Sequence, residues 1–171
     1  RSLEFRRVLF RSRFRQGGIF IGCESLPEFD TPAIANKLFM PNKRDSLKKQ
    51  TEYWKLVIKD YELNCIYSKQ LIDIDNISLD HYLPWSFVAH DQLWNLIPTS
   101  PTVNSSKSNN IPSDQYFYEF VRLQHTGLVV TYKSLTEIKW LNQVEPFIID
   151  LDLSEKDELL SFEKLLNAYE N

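Results

Sequence analysis

The chain has 171 residues, 43% of them apolar, with eleven Phe, eight Tyr and four Trp; it can bury a real core and is not a disordered chain. Four Gly argue against a glycine-rich phosphate loop, and two Cys, Cys23 and Cys65, cannot build a disulfide framework, which points to a reducing, cytoplasmic setting. No apolar run of about 18 residues exists, so no membrane span is expected, and a net charge of −3 is not the usual profile of a nucleic-acid binder.

Residues 1–12 stand apart. Leu3 to Ser12 is what one frame of a widely used sequencing-adapter oligonucleotide translates to, so this segment is excluded from fold reasoning as an artefact. On that reading the natural protein begins upstream, with room for a further domain in the missing N-terminus. Without these residues the net charge falls from −3 to −6. Residues 13–44 form a truncated N-terminal segment. Gly18–Gly22 could be a short strand there, and Pro27, Pro32 and Pro41 punctuate the rest of the segment.

Asp45 is a candidate N-cap for a helix over 45–62, whose apolar stripe runs through Leu47, Tyr53, Trp54, Val57 and Tyr61. A short strand and turn are expected at 64–68 and a short strand at 78–82, with alternation at 71–74 and turn residues Asp73 and Asp75 between them. Pro84 bends the chain, 88–94 forms a loop or single helical turn, and 95–98 is another short strand. Next comes a helix over 102–109, which Pro112 keeps short. Three more helices are expected over 114–126, 134–150 and 154–169, the last opening on a variant capping box at Ser154–Asp157. These elements divide into a core over 45–126 and a helical extension over 127–171. Charge divides too: 41–71 carries +3 and 145–171 carries −6, so the basic end adjoins the stretch with the densest chemistry.

That stretch runs from Leu79 to Lys107. Asp80 offers a hard oxygen ligand that Mg²⁺ accepts, and His81 can take a proton from water near neutral pH. Adjacent strand residues face opposite ways, so both serve one site only if the pleat breaks nearby, as Pro84 allows. Asn104 can offer a second hard oxygen, and Lys107, three residues on, shares its helical face and can meet a phosphate. Asn95 can pin the intervening loop. Each residue also has a plain structural reading: a hydrogen-bonded Asp–His pair, a helix cap, a solvated lysine, a turn asparagine. His90 and Asp91 could approach substrate or form a surface pair, and are read as the latter; His125, near a helix end, reads as a capping or solvated residue.

Taken together, Asp80-His81, Asn95-Leu96 and Asn104-Ser105-Ser106-Lys107 resemble the HNH endonuclease family, in a His-Asn-Asn variant. The stretch is also similar to the HNH domain of RNA-guided CRISPR effector nucleases. The resemblance covers about residues 65–112. It implies an α+β fold with a ββα-metal (His-Me finger) core and flanking helices. It further implies hydrolysis of DNA phosphodiester bonds with one Mg²⁺, or another divalent cation such as Mn²⁺, held by Asp80 and Asn104. His81 is then the general base, Asn95 orients it, and Lys107 contacts nucleic acid. Restriction, phage defence or mobile-element processing would each suit such an enzyme. Many relatives carry two Cys pairs for a structural zinc; Cys65 alone cannot supply them, so no structural zinc is expected. Trp85, Phe87, Trp94 and the helix at 45–62 would then replace it by packing. The competing reading is an HNH-derived module that binds nucleic acid or protein without cutting; RNA cleavage is a third.

Overall fold

The computed structural model describes residues 46–171. The order is helix α1 (Lys48–Asp60), strand β1 (Ser78–His81), one-turn helix α2 (Trp85–Val88), strand β2 (Leu96–Thr99) and helix α3 (Pro101–Lys107). Helices α4 (Phe117–Ser134), α5 (Glu137–Asp150) and α6 (Phe162–Glu170) complete the chain, with 3₁₀ turns at Ile74–Asn76, Leu93–Asn95, Asp114–Tyr116 and Lys156–Leu160. The fold is α+β: a two-stranded sheet followed by α3, with the remaining helices around it. Among the described residues no helix is long and apolar enough to cross a membrane.

β1 and β2 pair antiparallel, Asp80 opposite Ile97 and His81 opposite Leu96. Two strands alone are marginal in water, and here the helices supply the missing core. All four β2 residues are buried. Spacings of three and four residues place Tyr53, Trp54 and Val57 on the inner side of α1, and Phe120, Val121, Gln124 and Leu128 on that of α4. The two helices approach closely at Gly127, where a Cβ would come to 3.0 Å from the Tyr53 hydroxyl and 3.1 Å from the Trp54 ring.

Four helices converge on the segment that enters β2. The Trp54 indole and the Gln124 amide both donate to the Leu96 carbonyl, at 3.1 and 3.0 Å. The Trp94 indole donates to Asp150 at 2.7 Å, and the Tyr169 hydroxyl donates to the Trp94 carbonyl at 2.7 Å. The carrier of Asn95 is therefore tied to α1, α4, α5 and α6.

Several expectations need correction. At 64–68 the turn is present, but the strand is reduced to a single bridge, Asn64 to Leu71, with Lys69 at φ 61°. Exposure does alternate over 71–74, with Ile72 buried and Leu71, 61% exposed, facing out. Helix α4 runs on to Ser134, past the expected end at 126. The single helix expected over 154–169 is broken at Ser161, whose hydroxyl caps α6, and the capping box before it belongs to Glu155 and Glu158. Phe87 is 40% exposed and does not join the core, whereas Trp54 and Trp94 do. Helix α1 starts at Lys48; Leu47 precedes it without a side-chain cap bond, and Asp45, the expected cap, lies outside the described residues. The strand suggested at Gly18–Gly22 also lies outside them. Asp73 does act as a turn residue, accepting from the Asp75 amide at 2.9 Å.

Candidate active site

β1 and α3 build one side of the site. Ser78 and Asp80 are two apart on the strand and so share a face. Asn104 and Lys107 are three apart on α3 and share a face. The two faces meet: the Asn104 amide nitrogen donates to the Ser78 hydroxyl at 2.8 Å and to the Leu79 carbonyl at 3.0 Å. The Lys107 ammonium donates to Asp80 Oδ1 at 3.0 Å and to the His81 carbonyl at 2.6 Å. Ser100, not Asn104, caps α3.

The Asn104 contacts settle the orientation of its amide. The Leu79 carbonyl can only accept, so the nitrogen must face the strand. Both N–H groups are then used, and Oδ1 makes no protein hydrogen bond among the described residues. Asp80 is 1% exposed. Besides Lys107 it accepts from the Tyr67 hydroxyl, on Oδ2, at 2.9 Å. Burial pushes its carboxyl above the usual carboxylate range, against the opposing pull of Lys107, Tyr67 and His81. Burial, with Asp80 beside it, raises Tyr67 far above an ordinary phenol, so it remains a donor.

His81 is the last residue of β1 and takes a separate partner, its Nε2 lying 2.7 Å from Asp91 Oδ1. The turn beyond it is held by Asn95, which is fully buried. Asn95 Oδ1 accepts from the Leu83 amide at 2.8 Å, its Nδ2 donates to the Leu83 carbonyl at 2.9 Å, and its own carbonyl accepts from the Tyr82 amide at 2.8 Å. The strand thus breaks directly after His81, where Pro84 suggested a bend.

Sequence reasoning missed Asp91, read there as half of a surface pair with His90. In the structure His90 lies against the Trp94 ring, and Asp91 reaches back ten residues to His81. Tyr67 was missed as well; its place in the turn after Cys65 gave no sign that it reaches Asp80. His125 is not at a helix end; it sits within α4 and its Nε2 meets the Leu160 carbonyl at 3.0 Å. Cys65 is buried, 3.2 Å from the Thr99 hydroxyl.

The donor chemistry fits one hard cation: a carboxylate from Asp80 and an uncommitted carboxamide oxygen from Asn104. Among the described residues no group of three or more His, Cys, Asp and Glu side chains could hold a metal ion.

Residues 65–113 match the family model described as HNH endonuclease. No curated protein and no solved structure matches the chain. The matched residues span β1, the Asn95 clamp, β2 and α3, and on that match this part of the chain is an HNH endonuclease domain.

Proposed function

We propose that this nuclease domain hydrolyses DNA phosphodiester bonds with one divalent cation, Mg²⁺ or Mn²⁺, held by Asp80 and Asn104, and with His81 as general base. The observation that carries the reading is the Asn104 amide, whose nitrogen is spent on β1 while its oxygen has no protein donor among the described residues. When bound, the cation supplies positive charge at the scissile phosphate and its leaving oxygen. His81 takes a proton from water; the water oxygen bonds to phosphorus as the bond to the leaving oxygen breaks, and solvent protonates that oxygen. Asn95 keeps the turn after His81 in place, and so keeps the imidazole in position. A phosphate contact by Lys107 would use the same ammonium that now holds Asp80. The basic stretch around α1 would favour a polyanion.

The test is plasmid nicking by wild type and His81→Ala, with Mg²⁺ and with chelator. Chelation should abolish nicking, and His81→Ala should slow it by on the order of 10³-fold. Cation-dependent nicking that survives His81→Ala would remove His81 as base. A non-cleaving binding module has one observation in its favour: both Asp80 oxygens are already bonded within the protein. That reading expects nucleic acid to be retained without any strand scission. Offering RNA beside DNA separates the substrates.

A further inference from the structure

We infer that Asp91 is a positioning residue for His81: it fixes the imidazole in the tautomer that leaves Nδ1 as the proton acceptor. The inference rests on the reading of His81 as the base. Its own support is geometric. Asp91 Oδ1 lies 2.7 Å from His81 Nε2, within the range of a charge-assisted hydrogen bond. A carboxylate has no proton to give, so in a neutral imidazole the Nε2 nitrogen carries the hydrogen and Nδ1 keeps its lone pair. Nδ1 makes no hydrogen bond to protein among the described residues, so that lone pair is not spent on the fold.

The backbone of Asp91 is itself held. The Gln50 amide, on α1, donates to the Asp91 carbonyl at 3.0 Å, which anchors the residue's backbone to a helix outside the matched segment. The pair is neither sealed nor loose: the His81 and Asp91 side chains are 13% and 21% exposed. Water can approach the imidazole, while its tilt and tautomer are set from behind. When His81 takes the proton from water, the imidazolium that forms stands beside an existing negative charge. Asp91 stabilises that charge without receiving the proton, as an orienting carboxylate does. Lys107 does not compete for this role, because its ammonium meets the His81 carbonyl and Asp80 and not the ring.

The experiment uses the full chain in three forms: wild type, Asp91→Ala and the isosteric Asp91→Asn. ¹⁵N NMR of the His81 ring, assigned by comparison with His81→Gln, reads the tautomer directly. Wild type should show the Nε2–H form. Asp91→Ala should show a mixture of both, and Asp91→Asn should lose the pure Nε2–H form as well, because its amide can donate to Nε2 as readily as accept from it. In plasmid nicking, Asp91→Ala should lower kcat by on the order of 10²-fold with KM for DNA unchanged, and Asp91→Asn should fall between. An unchanged His81 tautomer in Asp91→Ala overturns the inference, as does nicking within about twofold of wild type. If Asp91→Ala does not fold, a pure Nε2–H tautomer with wild-type nicking in Asp91→Asn overturns it instead. The ring measurement needs no turnover, so it decides the role of Asp91 even if wild type does not cleave; failure of the nuclease reading shows separately, as His81→Ala nicking at the wild-type rate or wild type not nicking at all.

Discussion

The two sides of β1 hold their charges differently. On one side Asp80 and Lys107 face each other with side chains 2% and 8% exposed, and Tyr67 closes the remaining carboxylate oxygen. On the other side His81 and Asp91 pair with more of each side chain in reach of water. The sequence positions are adjacent, yet the physics is not the same. A buried charge must be paired, because the cost of leaving it bare exceeds what its pairing returns. A half-open pair costs the fold little and leaves a ring nitrogen for chemistry. One pair is therefore sealed from water and the other stays partly within its reach.

Removing Lys107 should expose that difference most. Lys107→Met leaves Asp80 buried without its cation, and about 3–5 kcal/mol of unfolding free energy should be lost, read by urea denaturation. The double variant Asp80→Asn with Lys107→Met should recover most of it, since no buried charge remains. By contrast Asp91→Ala should cost about 1–2 kcal/mol, since this pair is less deeply buried and keeps some contact with water. If Lys107→Met and Asp91→Ala lose equal stability, the contrast between the two sides is wrong.

The two site asparagines make the same comparison without charge. Asn95 is fully buried and spends both ends of its amide on the Leu83 backbone. Asn95→Ala leaves a buried N–H and a buried carbonyl without partners and should cost about 2–4 kcal/mol in thermal unfolding. Asn104 is only partly buried and leaves its oxygen uncommitted, so Asn104→Ala should cost about 1 kcal/mol. A divalent cation should then raise the melting temperature of wild type and not of Asn104→Ala. Equal stability losses for the two substitutions would mean that Asn104 is a structural residue like Asn95.

Much of this was legible in the residues. The Asp-His pair, the Asn-Leu start of β2 and the short helix with Asn104 three residues before Lys107 fell close to where they were expected, because strong local signals bound them: Pro84, Pro101 and Pro112 limit the elements between. What stayed hidden depends on contacts across the chain. Helix α4 was expected to stop near Gly127; it continues because the missing side chain there admits Tyr53 and Trp54 of α1, so the glycine serves packing, not termination. His125 was misplaced for the same reason. Asp91 looked like a surface residue since nothing local shows that the loop after Pro84 folds back on His81. Lys107 was placed on the correct face of its helix, but sequence spacing gives the face and not what covers it.

The smallest effect lies far from the site, at the turn before α6. Glu158 closes the capping box before α6, accepting from the amides of Ser154 at 2.8 Å and Glu155 at 3.3 Å, and Lys164 approaches at 3.3 Å. These bonds, the Ser154 amide foremost, hold its carboxyl below the usual carboxylate range. An acid with a lowered folded value stabilises the fold above its unfolded value, and that contribution is lost as pH falls through the folded value. The melting temperature of wild type should therefore drop more steeply than that of Glu158→Gln on acidification below about pH 4.3. Gln keeps the acceptor geometry of the box, so the difference isolates the charge. It should be the smallest change of the series at neutral pH, and added salt should shrink it further, whereas the Asp80–Lys107 pair, out of reach of solvent ions, should barely respond. Equal salt sensitivity at both places would show that burial is not what separates them.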